Sequence, residues 1–229
     1  MTDMNVTYID HMGTDLSVVN AARVSFSKRH ETFQDKKDTR LIHFLHRKNH
    51  FMPFTHTSLT VHVKAPVFVA RQLAKHQIGL NWSESSRRYV KDTPAIFQPS
   101  SWRAAAEEVK QGSDQERVIT SGLFLDAEDG AFYYADPKNE VRSHSERSVQ
   151  LYEDLLESGV CPEQARMVLP QSMMTEWYWT GNVSSFGRMY DLRSAPDTQL
   201  ETRIIAEKLS DIIRPHFPIC WRAITSQLL

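Results

Sequence analysis

TSLTVHVKAPVFVARQLAKH, residues 57–76, changes its period halfway along, and that change decides how the rest of the chain is read. Leu59, Val61 and Val63 alternate with polar neighbours, which puts every second side chain on one face of a half-buried strand. From Val67 onward the apolar residues follow helical spacing. Pro66 suits the first position of that helix, where its missing N–H has no partner to lose.

Outward from this stretch, strand and helix signals mix without the regular alternation of a βαβ series. NVTYID (residues 5–10) has the β-branched and aromatic content of a short strand. LSVVNAARVSFS, from Leu16, has helical apolar spacing. DTRLIHFLHRKNH (38–50) sets Leu41, Ile42, Phe44 and Leu45 on one helical stripe, with Asp38 as its cap. EVRSHSERSVQLYEDLLESG (140–159) is an amphipathic helix stopped by Gly159. CPEQARMVLP follows as a shorter helix, SMMTEWYWTGN (172–182) as a strand, and SSFGRMYDLR and DTQLETRIIAEKLSDIIR as two closing helices. Residues 100–140 are the least regular. SWRAAAEEVKQGSDQERVITS is expected to be helical in pieces, and LDAEDGAFYYADPKNE reads as loop or hairpin, so the region is expected to be an insertion. The whole implies one α+β domain, residues 1–229, with a central, mostly antiparallel sheet flanked by helices.

The totals narrow the function. A chain of 229 residues with 41% hydrophobic and 24% charged residues is an ordinary globular composition. A net charge of -1 argues against a nucleic-acid partner, so any phosphate must be held by a local basic pocket. Two cysteines, Cys161 and Cys220, suggest no disulfide framework and fit a reducing cytoplasm. The N-terminus lacks the pattern of a signal peptide, and no apolar run approaches the roughly 20 residues of a membrane helix. The sequence contains neither GxGxxG nor GxxxxGK[ST], the dinucleotide and P-loop fingerprints.

Three segments carry chemistry. KHQIGLNWSESSRRYV (75–90) gathers donors directly after the apolar helix: arginine forks and serine hydroxyls suit a phosphate, although a solvated loop would look the same. Arg166 lies within a mostly apolar helix, where a lone arginine usually snorkels to water. Arg193 falls between two helices and would by itself be read as bonding helix-end carbonyls. Taken together and in this order, with AARVSF (21–26) and HFMPFTH (50–56), these segments resemble the flavin-dependent thymidylate synthases, from about residue 20 to about 213 but not over 100–140. The family signature RHRxxSxNExSxRY appears here as KHQIGLNWSESSRRY, with one extra residue between its halves.

The resemblance implies conversion of dUMP to dTMP with FAD as cofactor, methylenetetrahydrofolate as carbon donor and NADPH as reductant. It also implies a homotetramer whose active sites draw on several subunits. By position, Gln72, Lys75, Glu84, Ser86, Arg88, Arg166 and Arg193 would hold dUMP, with Arg88 on the phosphate and Arg193 against the uracil. Ser25, Lys75, His76, Gln77, Glu84, Asn182, Val183, Ser184 and Arg188 would hold FAD, and His50 would lie on the folate and nicotinamide side. Lys75 and Gln77 depart from the two arginines of RHR: lysine loses the bidentate fork and glutamine the charge. Ser83 replaces an asparagine, and Ser184 and Arg188 stand where the family often has arginine and asparagine. These departures leave a non-catalytic flavin- and nucleotide-binding relative as the alternative.

The chemistry explains the residue types. C5 of uracil is a poor nucleophile, and neither cysteine has a context suited to a thiolate. A cation against the pyrimidine edge can instead draw electron density through the ring, and Arg193 is the candidate catalytic residue. Reducing the transferred carbon needs a hydride that no side chain supplies, which a flavin does. Ser86 has no obvious partnered base and reads as a ligand, not an attacking group. His43, His46 and His50, spaced i, i+3, i+7, could share a helix face, but no acidic partner matches that spacing. They read as a polar helix edge, and no metal is expected.

Overall fold

The computed structural model describes residues 3–106, 112–126 and 132–225. The strands are β1 (Asn5–Met12), β2 (Ser58–Pro66), β3 (Leu80–Glu84), β4 (Arg103–Ala105), β5 (Ser113–Val118), β6 (Leu123–Asp126), β7 (Phe132–Ala135) and β8 (Met174–Gly181). The helices are α1 (Asp15–Arg23), α2 (Asp35–Arg47), α3 (Val67–Leu73), α4 (Pro137–Glu157), α5 (Pro162–Ala165), α6 (Val183–Arg193), α7 (Leu200–His216) and α8 (Pro218–Thr225). These elements gather into two compact units that interleave along the chain. One takes in Met4–Lys64, Arg71–Glu84 and the chain from Glu176; the other takes in Ala65–Ala70 and Ser85–Thr175.

The first unit is built on a sheet of strand order β1-β2-β8-β3. The pairs β1/β2 and β3/β8 are antiparallel. Across β2 and β8, Thr60 meets Thr180 and His62 meets Tyr178, the reversed numbering of another antiparallel pair. The α+β sheet expected from sequence is therefore present. Alternation sends Leu59, Val61 and Val63 of β2 and Trp177 and Trp179 of β8 to full burial, where they join Val18, Val19, Ile42, Phe54, Phe186, Met189, Leu209 and Phe217. Asp15 fastens α8 to this core by accepting from the N–H groups of Ile219 (2.8 Å) and Cys220 (2.9 Å), donors that a helix start otherwise leaves unpaired.

Asp38 does not cap α2. The cap position is Gln34, and Asp38 is fully buried one turn inside, accepting from Arg23 Nη2 (2.8 Å), His30 (3.0 Å) and the Gln34 N–H (2.7 Å). Burial alone would raise its carboxyl; the three hydrogen bonds outweigh it and hold the group below the usual carboxylate range. Pro66 ends β2, and the helix starts one residue later.

The second unit holds α4, α5 and two hairpins, β4–β5 and β6–β7. The segment expected to be helical in pieces is the first hairpin, with Arg103 opposite Val118. Its residues 107–111 lie outside the described residues. The LDAEDGAFYYADPKNE expectation of a hairpin holds in that Leu123 to Asp126 pair with Phe132 to Ala135; residues 127–131 also lie outside the described residues. Gly159 ends the α4 segment in the left-handed region, at φ +85°. Among the described residues no helix is long and apolar enough to cross a membrane.

Candidate functional site

α3 delivers the first half of the motif. It ends at Leu73, and Lys75, His76 and Gln77 occupy the turn that follows. Gly79 closes this turn at φ +70°, and a Cβ there would lie 2.3 Å from Ser185 Oγ and 2.9 Å from Asn182 Nδ2. Only glycine meets both demands. After the turn, Leu80 to Glu84 form a strand that pairs with Gly181 to Trp177 without a register shift, so the extra residue of this chain makes no bulge there, and Ser86, Arg88 and Tyr89 follow the strand. Trp82 stacks on Trp177 at 4.3 Å and its indole donates to Glu84 (3.1 Å).

The start of α6 packs against that turn. Asn182 caps the helix by accepting from the Ser185 N–H (2.9 Å). The Val183 N–H donates to the buried hydroxyl of Thr57 (3.1 Å), which donates to the Phe54 carbonyl (2.8 Å). Ser184 is buried, whereas Arg188 is exposed and donates to the Ile78 carbonyl (3.1 Å). The structure thus brings the turn that carries His76 and Gly79 against the start of α6, with Arg188 on the Ile78 carbonyl and Asn182 beside Gly79.

Arg193, at the last turn of α6, reaches back to α3. Its Nε donates to His76 Nε2 (2.9 Å) and its Nη2 to the Gln72 carbonyl (3.5 Å). Burial first, then the positive charges of Arg193 and Arg188, hold His76 below its ordinary pKa and keep it neutral at neutral pH. The Gln72 side chain is tied from the start of α7. Its amide N–H donates to Gln199 Oε1, its Oε1 accepts from Thr202 (3.1 Å), and Gln199 donates onward to Glu201 (3.1 Å). Gln199, Glu201 and Thr202 were given no role by the sequence reading. Their only signal is their place in the closing-helix segment DTQLETRIIAEKLSDIIR.

The other assigned residues lie on other elements. Ser25 is exposed on a 3₁₀ turn, Val24–Phe26, and His50 is exposed just past α2, edge-on to Phe44 at 6.1 Å. Ser86, Arg88 and Arg166 belong to the second unit. There the Arg88 Nε donates to Ser86 Oγ at 3.5 Å, and its guanidinium lies 5.2 Å over the Tyr89 ring. Arg166 is exposed beside α5, at the start of a 3₁₀ turn, not inside an apolar helix.

Cys220 is buried, and burial, then Asp15, push its thiol well above the ordinary range; Cys161 is exposed. His43 is held below its ordinary pKa by burial, then by Arg222 and Arg47, and His46 by burial, then by His43. Among the described residues no group of three or more His, Cys, Asp or Glu is arranged to hold a metal.

A family profile described as "Thymidylate synthase complementing protein" matches residues 7–219. The chain is similar to the flavin-dependent thymidylate synthase of Thermus thermophilus, with 35% identity over 224 residues that cover 98% of this chain and 76% of that protein. With that of Thermosipho africanus it shares 36% identity over 218 residues, covering 94% and 88%. Among solved structures it is similar to the UMP/dUMP methylase PolB from Streptomyces cacaoi bound with 5-Br dUMP. The TM-score is 0.80 and the identity 29%, covering 98% of this chain and 96% of that one.

Proposed function

This chain belongs to the flavin-dependent thymidylate synthase family, a family of methyltransferase enzymes, and from that premise we propose that it converts dUMP to dTMP with FAD, methylenetetrahydrofolate and NADPH. The observation that carries the reading is Arg193, a half-buried guanidinium tied to both Gln72 and His76. An arginine has five N–H donors, and these two bonds leave three for a substrate.

Arg193 sits against the uracil and stabilises negative charge as it develops on the ring, so that C5 attacks the one-carbon unit without a thiolate. The Cys220 thiol is buried and hard to ionise, which agrees with a reaction that uses none. Gln72, Lys75, Glu84, Ser86, Arg88 and Arg166 hold the rest of dUMP, with Arg88 on the phosphate.

The residues at the α3–β3 turn and the start of α6 fit a flavin nucleotide. The cradle at Gly79 admits no Cβ, and Lys75, His76, Gln77 and Arg188 form a donor-rich, cationic set beside the start of α6. With Ser25, Glu84, Asn182, Val183 and Ser184, these residues would hold FAD, and His50 would face the folate and nicotinamide. Held there, a reduced flavin would supply the hydride that the methyl group requires and that no side chain can provide. Arg188 brings to the turn a positive charge that Gln77 lacks.

We assign the enzyme to the cytoplasm as a homotetramer with sites built from several subunits. Each chain is read as one catalytic domain that carries residues 100–140 as an insertion. Exposed apolar side chains support the assembly, because they adjoin the assigned residues along the sequence: Val24 and Phe26 beside Ser25, Met52 near His50, Ile78 beside Gln77, Met167 beside Arg166 and Leu192 beside Arg193.

The test is direct. Purified protein given FAD, NADPH, methylenetetrahydrofolate and dUMP should form dTMP, and omission of the flavin should stop it. A protein that binds flavin and dUMP yet forms no dTMP would contradict the reading.

A further inference from the structure

We propose that His76 is a positioning residue for Arg193: as a neutral ring protonated on Nδ1, it takes the arginine Nε–H on Nε2 and fixes the guanidinium that polarises the pyrimidine. The proposal rests on the dUMP-methylating reading and adds how its central cation is held.

A guanidinium has donors only, so a ring nitrogen 2.9 Å from Nε must present its lone pair. That fixes the tautomer and leaves Nδ1–H as the ring's one donor. The second tie, from Nη2 to the Gln72 carbonyl, is long at 3.5 Å, so the histidine bond decides the orientation. The two ties draw the end of α6 onto the end of α3.

The same bond makes the arginine's position depend on pH. The charged groups facing His76 from α6 are Arg193 and Arg188, and Lys75 precedes it on its own turn. All are cations. If His76 gains a proton, Nε2 becomes a donor, the bond is lost, and the imidazolium repels Arg193. Asp191, also on α6, has a carboxyl pushed up to about 6 by burial and titrates nearby, so it needs its own control.

The experiment compares FAD-loaded wild type with His76→Gln, His76→Ala and Asp191→Asn. It measures kcat and KM for dUMP from about pH 5 to 9, with bound flavin read by absorbance on the same samples. At equal flavin loading, His76→Ala should lose roughly 100-fold in kcat, the scale of a catalytic group displaced by about 1 Å. His76→Gln should recover most of it, because its amide oxygen can accept the same Nε–H. The acid limb of the wild type should disappear in His76→Gln and persist in Asp191→Asn. His76→Gln no better than His76→Ala, or an acid limb that persists in His76→Gln, overturns the proposal.

Solvent exchange of the Arg193 Nε–H, followed by NMR, reads the tie without turnover. Slow exchange in wild type that becomes fast in His76→Ala supports it; exchange as fast as that of an exposed arginine overturns it. Slow exchange in a wild type that makes no dTMP would sink the methylation reading and leave the tie standing.

Discussion

Replacing Arg193 with alanine removes a cation that touches Gln72 and His76 while leaving the cap of α6 and the Gly79 turn in place. Turnover should fall by about 100-fold or more, with flavin still bound, as measured by dTMP formation and visible absorbance. A second prediction concerns Gln72, whose amide is oriented by a chain of bonds: Glu201 accepts from Gln199, so Gln199 turns its oxygen to the Gln72 N–H, and Thr202 donates to the remaining oxygen. Thr202→Val orphans that oxygen. KM for dUMP should rise roughly tenfold, with kcat little changed, since one lost hydrogen bond is worth about 1.4 kcal/mol. Asp191 gives a pH prediction. Among the described residues one of its oxygens is buried without a partner, and burial raises its carboxyl from 3.8 to about 6. A raised carboxyl lends stability below its unfolded pKa and loses it as pH rises toward 6. Asp191→Asn should therefore raise Tm at pH 8, and the gain should shrink toward pH 5 in thermal melts. Arg193, Gln72 and His76 were singled out by resemblance to the family's segments, His76 inside the 75–89 motif, Gln72 just before it and Arg193 in a separate segment. Gln199 and Thr202 were not, since their bonds to Gln72 cross 127 and 130 residues and leave no local trace.

At the scale of elements, the turn between α3 and β3 joins the two halves of the motif. Gly79→Ala adds a Cβ in the left-handed region and against Ser185 and Asn182. It should cost about 2 kcal/mol, or roughly 4–8 °C in Tm, and weaken flavin retention, both read from one purified sample. Most elements were legible from periodicity: β1, β2, β8, α1, α2, α4, α6 and α7 all lie where the spacing predicts them. The exceptions have physical causes. LNWSE is a five-residue strand on the sheet edge, too short and polar to show a strand pattern of its own. The alanines before β5 favour a helix, but pairing across the hairpin overrides that weak preference. α8 was missed because Pro215 and Pro218 look like the end of the helical pattern. In fact Pro218 opens a new helix whose first N–H groups are satisfied by Asp15, some 200 residues away.

For the whole molecule, the account joins a cation without a thiolate to a hydride donor that the side chains cannot supply. The buried Cys220 and the Arg193–His76 tie fit that division of labour within one chain, and the exposed apolar residues beside the assigned sites fit its completion by other subunits. The measurement that tests it most directly is a single anaerobic turnover. FAD-loaded enzyme, chemically reduced and freed of excess reductant, is mixed with dUMP and methylenetetrahydrofolate while flavin absorbance and dTMP are followed together. The account predicts that the oxidised flavin spectrum returns as dTMP appears, one molecule for each flavin. A flavin that stays reduced, or one that reoxidises without yielding dTMP, would contradict it.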